Sequence, residues 1–223
     1  MIRCVLWDID GTLLNFKKAQ YAALYKCFKC FNEYLDDDMV DRYDHINHGY
    51  WLLLEENKIS KSELLVKRFV DFFGIYNIKI NPVSFNEMYQ VELGKTYVFN
   101  DGGKETVLKL KEMGIKQFAI TNGTKVAQLG KLTGSGLIDL LDEIFISEDV
   151  GYEKPSVNFF KPVEEKLNEY GINKQECLII GDSESSDMTL ARNVGIKGIH
   201  YTGGESNNDY VISDLSVVLT MLQ

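Results

Sequence analysis

The chain opens on Ile2-Arg3-Cys4-Val5-Leu6-Trp7, a nearly unbroken apolar run that stops at Asp8. A run without polar alternation predicts a strand buried on both faces of a parallel sheet. From Lys17 to about Gly74 apolar and aromatic positions recur at helical spacing, predicting helices over 19–34, 38–56 and 61–73. Ser60 and Glu63 make a capping-box signature for the third of these. A further helix over Pro82–Leu93 leads back towards the first strand.

After Gly102 the pattern alternates. Helices are expected over 103–113, 125–133, 157–170 and 186–194, with strands over 115–121, 143–147, 176–181 and 197–200 and a closing helix from Asp214. Such alternation predicts βαβ units, an α/β class and a doubly wound parallel sheet. The first strand belongs to that sheet, so the helical block is an insertion. The expected division is a core of 1–15 and 95–223 with an all-helical segment over 16–94 between its parts.

In open sheets of this kind ligands sit beyond the carboxyl ends of the strands, near the point where strand order reverses. The polar residues at the predicted strand ends form a coherent set. The first strand ends in Asp8-Ile9-Asp10-Gly11-Thr12, the second in Thr121-Asn122-Gly123, and the fourth in Gly181-Asp182 with Asp187 five residues on. Lys154 follows the third strand in Gly151-Tyr152-Glu153-Lys154-Pro155.

Asp8 and Asp10 are two apart, so in an extended segment both carboxylates lean to one side. Held close, they raise each other's pKa unless something positive intervenes. If Asp182 and Asp187 join them, a divalent cation and Lys154 leave one net negative charge. A hard, oxygen-seeking ion such as Mg²⁺ is the natural complement, since it takes carboxylates, a backbone carbonyl and waters while leaving room for a phosphate oxygen. Thr121 and Asn122 precede a helix, where a hydroxyl and backbone N–H groups favour an anion, and Lys154 adds a point charge. Phosphoryl transfer needs little beyond alignment and charge neutralisation. A carboxylate can serve as nucleophile, giving an acyl phosphate that water removes.

Composition narrows the partners. The 223 residues are 45% hydrophobic, and 33 acidic against 24 basic side chains give a formal charge of −9, which opposes binding to nucleic acid polymers or anionic membranes. No stretch approaches the roughly 20 apolar residues that span a bilayer, and the first residues carry no signal-peptide pattern, so a cytoplasmic location is expected. The expected partner is a small phosphorylated substrate, and the expected assembly a monomer or weak homodimer. Cys27-x-x-Cys30 followed by His45-x-x-His48 approximates zinc spacing. The histidines are too close together and the cysteines lie within a predicted helix, so two small residues of an amphipathic helix are expected instead.

Taken in order, Asp8-x-Asp10-Gly-Thr-Leu, the apolar strand ending in Thr121-Asn122-Gly, Gly151-x-x-Lys154-Pro and Gly181-Asp182-Ser-x-x-x-Asp187 resemble motifs one to four of the haloacid dehalogenase-like hydrolase superfamily. The resemblance covers essentially the whole chain. It implies a Rossmann-like core and a helical cap placed just after the first motif, which opens and closes over the site. It implies Asp8 as nucleophile, Asp10 as acid and then base, and Mg²⁺ on Asp8, the Asp10 carbonyl and Asp182, with Asp187 orienting metal-bound waters. Thr121 and Lys154 would hold the phosphoryl group, with Asn122 and Gly123 beside them.

Finer likeness lies in Thr12-Leu-Leu-x-Phe16-x-x-Ala19, in Tyr50-Trp51 with the following Glu-x-x-x-Ile-Ser-x-x-Glu-Leu and Arg68-Phe, and in Ile146-Ser-Glu-Asp-Val-Gly151. These resemble the branch of bacterial house-cleaning pyrimidine 5′-nucleotidases, implying a nucleoside monophosphate such as dUMP, UMP or dTMP as substrate. Asn15 and Asn100-Asp101-Gly102-Gly103 depart from that branch. Within the superfamily the rivals are a sugar-phosphate or acyl-neuraminate phosphatase and a phosphosugar mutase; outside it, a catalytically silent binding protein. Phe16, Tyr43, His45, His48, Tyr50 and Trp51 could wall a nucleobase or fill the core of the inserted helices. Phe16 and Trp51 are carried forward as substrate-binding candidates. Asp187 and Thr121 could act as helix caps. Gln128 and Lys131 are expected on a solvent-facing polar stripe.

Overall fold

The computed structural model describes residues 1–202 and 210–222. The chain enters through β1 (Cys4–Trp7) and then forms α1 (Phe16–Cys30), α2 (Asp37–Glu55), α3 (Lys61–Tyr76) and α4 (Pro82–Leu93). It continues through α5 (Gly103–Glu112), β2 (Lys116–Thr121), α6 (Lys125–Ser135), β3 (Glu143–Ile146), α7 (Ser147–Val150), α8 (Val157–Glu169) and β4 (Cys177–Gly181). A π-helical turn, Glu184–Met188, runs into α9 (Thr189–Val194), followed by β5 (Lys197–Tyr201), β6 (Val211–Ile212) and a 3-10 helix, Leu215–Leu222.

The strands form one six-stranded sheet in the order β3-β2-β1-β4-β5-β6, and every pairing is parallel. The chain grows outward on one side of β1, then crosses to build β4, β5 and β6 on the other. The reversal therefore falls at β1, whose carboxyl end carries Asp8. β1 is apolar throughout because it is covered twice. Val5 and Trp7 enter a core with Val107, Leu132 and Leu215 on one face, while Cys4 and Leu6 meet Phe159, Val163 and Leu190 on the other. The buried Trp7 indole donates to Gln117 Oε1 at 3.1 Å, and the Gln117 amide donates to the Val107 carbonyl at 2.9 Å. Both polar groups are thereby satisfied inside the sheet–helix layer.

The inserted helices have their own aromatic core. Tyr43 stacks on Phe69 with centroids 5.2 Å apart, and Phe69 meets the edge of Phe85 at 4.9 Å. The Ser60–Glu63 capping box forms at the start of α3 as expected, with Ser60 N–H donating to Glu63 Oε2 at 3.0 Å. Where α4 meets α6, a Cβ at Gly130 would sit 2.8 Å from the Gly94 carbonyl oxygen. Two glycines thus allow the backbones to approach closely.

Several expected boundaries shift. The first helix ends at Cys30, not at residue 34, because Asn32 takes a left-handed conformation that stops it. The helix expected from Ser186 starts earlier and irregularly, with the Ser183 hydroxyl accepting from Ser186 N–H at 3.1 Å. The final helix is 3-10, and β6 has only two residues, too few for periodicity to register. Among the described residues no helix is long and apolar enough to cross a membrane.

Candidate active site

The turn after β1 is built around Gly11, whose φ of +96° lies in the left-handed region. A side chain there would strike the Asp182 carboxylate, so both the turn and the close approach need glycine. Asp182 accepts from the Thr12 hydroxyl at 3.3 Å. The Asn100 amide donates to the Gly11 and Thr12 carbonyls at 2.9 and 2.8 Å, tying the loop to the segment that returns from α4.

Lys154 forms the centre of the site and is buried. Its ammonium donates to Asp8 Oδ1 at 2.8 Å, Asp187 Oδ1 at 2.6 Å and the Ile120 carbonyl at 2.8 Å, which uses its three protons. Asn122 fixes its backbone from both sides: Lys154 N–H donates to Asn122 Oδ1 at 2.8 Å, and the Asn122 amide donates to the Lys154 carbonyl at 2.9 Å. The other oxygen of Asp187 accepts from Ser183 N–H at 3.2 Å. Thr121 is buried at the end of β2, its hydroxyl accepting from Gly123 N–H at 3.0 Å. The N-cap position of α6 belongs to Thr124, and Thr121 stands three residues before it.

The Asp8 carboxyl is pushed up to about 7, chiefly by burial, with Lys154 opposing the rise and Asp187 and Asp10 adding to it. Burial also works against the Lys154 ammonium, but Asp187 and Asp8 outweigh it and hold its pKa above the ordinary lysine value. Asp182 opens on the cavity yet is ringed by protein, and desolvation, then Asp8 and Asp187, push it well above the usual carboxylate range.

Asp8 Oδ2 is buried with no protein partner. Carboxylate oxygens of Asp8, Asp182 and Asp187 lie within 4.8 Å of one another, the arrangement that a hard divalent cation would neutralise. Among the described residues the Cys27, Cys30, His45 and His48 side chains form no such group. Cys27 lies in the aromatic core, Cys30 is exposed, and His45 contacts the Asp41 carbonyl at 2.7 Å.

Asp10 is held by residues expected to face solvent. Gln128 and Lys131 are fully buried. The Gln128 amide donates to Asp10 Oδ2 at 2.7 Å, and the Lys131 ammonium bonds Asp10 Oδ1. The Lys131 ammonium also lies 5.3 Å from the centre of the Phe16 ring. The solvent-stripe expectation fails because α6 leaves the end of β2 beside the first turn and buries Ala127, Gln128, Lys131 and Leu132 on one face. That spacing of one, four and five residues was a legible signal, since apolar Ala127 and Leu132 frame the two polar residues.

A cavity of about 910 Å³ opens over these groups, lined by the strand ends and by Phe16, Asn47, His48, Trp51 and Glu55. The Trp51 indole donates to Asn47 Oδ1 at 3.2 Å, and that oxygen also accepts from Arg68 at 2.7 Å. The α2 and α3 ends are anchored across the site: the Ser185 hydroxyl donates to Glu55 at 2.5 Å, and Lys61 pairs with Glu153 at 3.0 Å. Of the proposed aromatic wall, Phe16, His48 and Trp51 line the cavity. Tyr43 belongs to the helical core, and the Tyr50 hydroxyl donates to Asp71 at 2.7 Å.

Residues 5–200 match a family model described as haloacid dehalogenase-like hydrolase. The chain is 30% identical to the HAD-hydrolase YfnB of Bacillus subtilis (strain 168) over 87% of this chain and 81% of that protein. A crystal structure of YfnB, described as bound to magnesium and as revealing interdomain movement, superimposes with a TM-score of 0.93 at 28% identity, covering 99% of this chain and 98% of that one. The pyrimidine 5′-nucleotidase PynA of Streptococcus pneumoniae (strain ATCC BAA-255 / R6) is 32% identical over 88% of this chain and 82% of its own. A glyceraldehyde 3-phosphate phosphatase of Methanocaldococcus jannaschii is 26% identical over 100% of this chain and 98% of its own.

Proposed function

The chain belongs to the haloacid dehalogenase-like hydrolase family, and from that membership we propose a Mg²⁺-dependent phosphomonoesterase that acts through a phospho-aspartate on Asp8, with nucleoside 5′-monophosphates as its substrates. The observation that carries the reading is Asp8 Oδ2, a buried carboxylate oxygen without a protein partner beside a fully engaged lysine. A nucleophile or metal ligand has to be left uncommitted by its own protein, and this oxygen is.

Asp8 attacks phosphorus in line, and the bond from phosphorus to the leaving alkoxide breaks. Asp10 gives that oxygen its proton, then takes one from the water that attacks phosphorus, and the acyl phosphate opens to restore Asp8 and release inorganic phosphate. Thr121 holds a phosphoryl oxygen through its hydroxyl. Lys154, its protons spent on Asp8, Asp187 and the Ile120 carbonyl, offsets the phosphoryl charge as a nearby point charge, with Asn122 locking its backbone in place. Asp8, Asp182 and Asp187 have the chemistry to hold Mg²⁺, directly or through water, together with the Asp10 carbonyl. When bound, it would neutralise the carboxylates and the substrate dianion. Residues 16–94 form the cap, with α2 over the cavity.

A cavity of about 910 Å³ supports a substrate larger than a triose phosphate, and the relative PynA is named for pyrimidine nucleotides. The test is phosphate release from nucleoside monophosphates, sugar phosphates, including glyceraldehyde 3-phosphate, and phospho-amino acids, with Mg²⁺ and with excess chelator. Release concentrated on pyrimidine monophosphates supports the whole reading. Preference for another ester keeps the mechanism and discards the substrate, and no release in any condition removes both.

A further inference from the structure

We propose that Lys131 and Gln128 are positioning residues that fix the Asp10 carboxylate for proton transfer, an inference that rests on the phosphatase reading. Asp10 lies beyond the last residue of β1, where an isolated bridge to Leu14 fixes its backbone but leaves its side-chain rotamer to be set by other contacts. Both oxygens are instead held from outside. Lys131 takes Oδ1 and Gln128 takes Oδ2. The two donors stand three residues apart on α6, about one turn of a single rigid element, and form a fork that engages both carboxylate oxygens.

Stability alone is a poor reason for this fork. Burying an ammonium is costly even when it is paired, and an apolar residue would fill the same space more favourably. Gln128 brings a second liability, because its side-chain carbonyl oxygen is buried with no partner while its N–H serves Asp10. A helix retaining two such residues on its inward face fits a requirement for orientation. The Phe16 ring against Lys131 closes the remaining side and restricts where the ammonium can go. Asp10 itself is open to the cavity, so the held group still faces a bound ester.

Loss of the fork should harm the step in which a poor leaving group needs a proton. The experiment compares kcat/KM, which reports steps through ester cleavage, for an alkyl phosphate such as ribose 5-phosphate and an aryl phosphate such as p-nitrophenyl phosphate. Proton transfer by a positioned acid contributes about 10²–10⁴-fold where the leaving group needs it. In Lys131→Met the alkyl-to-aryl ratio of kcat/KM is expected to fall at least tenfold. Lys131→Arg should recover most of it, and Gln128→Met should lower it in the same direction. Gln128→Met removes no charge and serves as the second probe should Lys131→Met fail to fold.

An equal loss on both esters, or an unchanged ratio in a folded variant, overturns the inference while leaving the phosphatase reading intact. A wild-type protein that cleaves neither ester, with Mg²⁺ supplied and pyrimidine monophosphates also inert, removes the phosphatase reading and this inference with it.

Discussion

Lys154 bonds one oxygen of Asp8, at 2.8 Å, and leaves the other buried with no partner. The pairing holds the carboxylate still while keeping one oxygen uncommitted. An amide in place of the acid keeps an acceptor for Lys154 but has no nucleophilic oxygen. Asp8→Asn is therefore expected to lose about 10⁴-fold or more in turnover, the scale seen when a covalent nucleophile is removed, with its thermal midpoint within a few degrees of wild type. An Asp8→Asn protein that still releases phosphate would sink the mechanism.

Removing the cation has the opposite profile. Lys154→Met leaves Asp8 and Asp187 facing each other in a buried site, with no ammonium to separate them. Breaking a buried pair from one side typically costs about 3–5 kcal/mol, and the urea midpoint of this variant should fall accordingly. Added Mg²⁺ should return part of that loss. A midpoint equal to wild type in chelator would show that Lys154 does not pair as described.

The metal assignment is checked without turnover. A ligand that binds only the folded state stabilises it by about 2.7 kcal/mol at 100 times its Kd, so Mg²⁺ should raise the thermal midpoint of the wild-type protein. Asp182→Asn removes one carboxylate of the acidic group but leaves Lys154 paired. Its Mg²⁺-dependent rise should shrink severely. An undiminished rise would place the ion elsewhere.

Much of this arrangement is legible in the sequence because it rests on periodicity and strand ends. The apolar run closing at Asp8 announces a doubly covered strand, and Thr121, Lys154 and Asp182 follow from the same alternation. What escaped is the role of α6. The spacing of Gln128 and Lys131 with Ala127 and Leu132 points to an inward face, but their partner, Asp10, lies more than a hundred positions earlier and is not legible from that spacing. The π-helical turn was hidden too, since it depends on Ser183 capping Ser186 and on Asp187 turning inward to Lys154. Both misses turn on polar contacts, Asp10 with α6 and Asp187 with Lys154, which hydrophobic patterning does not encode.

The capping box at α3 gives a pH prediction away from the site. Glu63 is held down at about 2, first by the Ser60 backbone N–H, then by Lys67 and the Ser60 hydroxyl. Its carboxylate is more acidic folded than unfolded, so its stabilising contribution is present above about 4.5 and disappears as pH falls towards 2. Gln at 63 retains a hydrogen-bonding oxygen but no charge. The gap in thermal midpoint between wild type and Glu63→Gln should be open at pH 6 and close across that window. A gap independent of pH would mean that the charge contributes nothing to the cap.

Trp51 offers the sharpest test of substrate class. Its indole N–H is tied to Asn47, which is itself held by the buried Arg68, so the ring meets the cavity in a fixed orientation. A pre-oriented indole binds a planar base without an ordering cost, and stacking is worth about 1–3 kcal/mol per base, or roughly 5- to 150-fold in binding. Trp51→Leu should raise KM for a pyrimidine monophosphate on that scale with a much smaller change in kcat, because a contact to the base acts on binding and leaves the phosphoryl-transfer residues unchanged. Ribose 5-phosphate, which has the sugar and phosphate but no base, should be affected far less. Equal losses on both esters would mean that Trp51 shapes the cavity without reading a base, leaving only cavity size as structural support for a nucleotide.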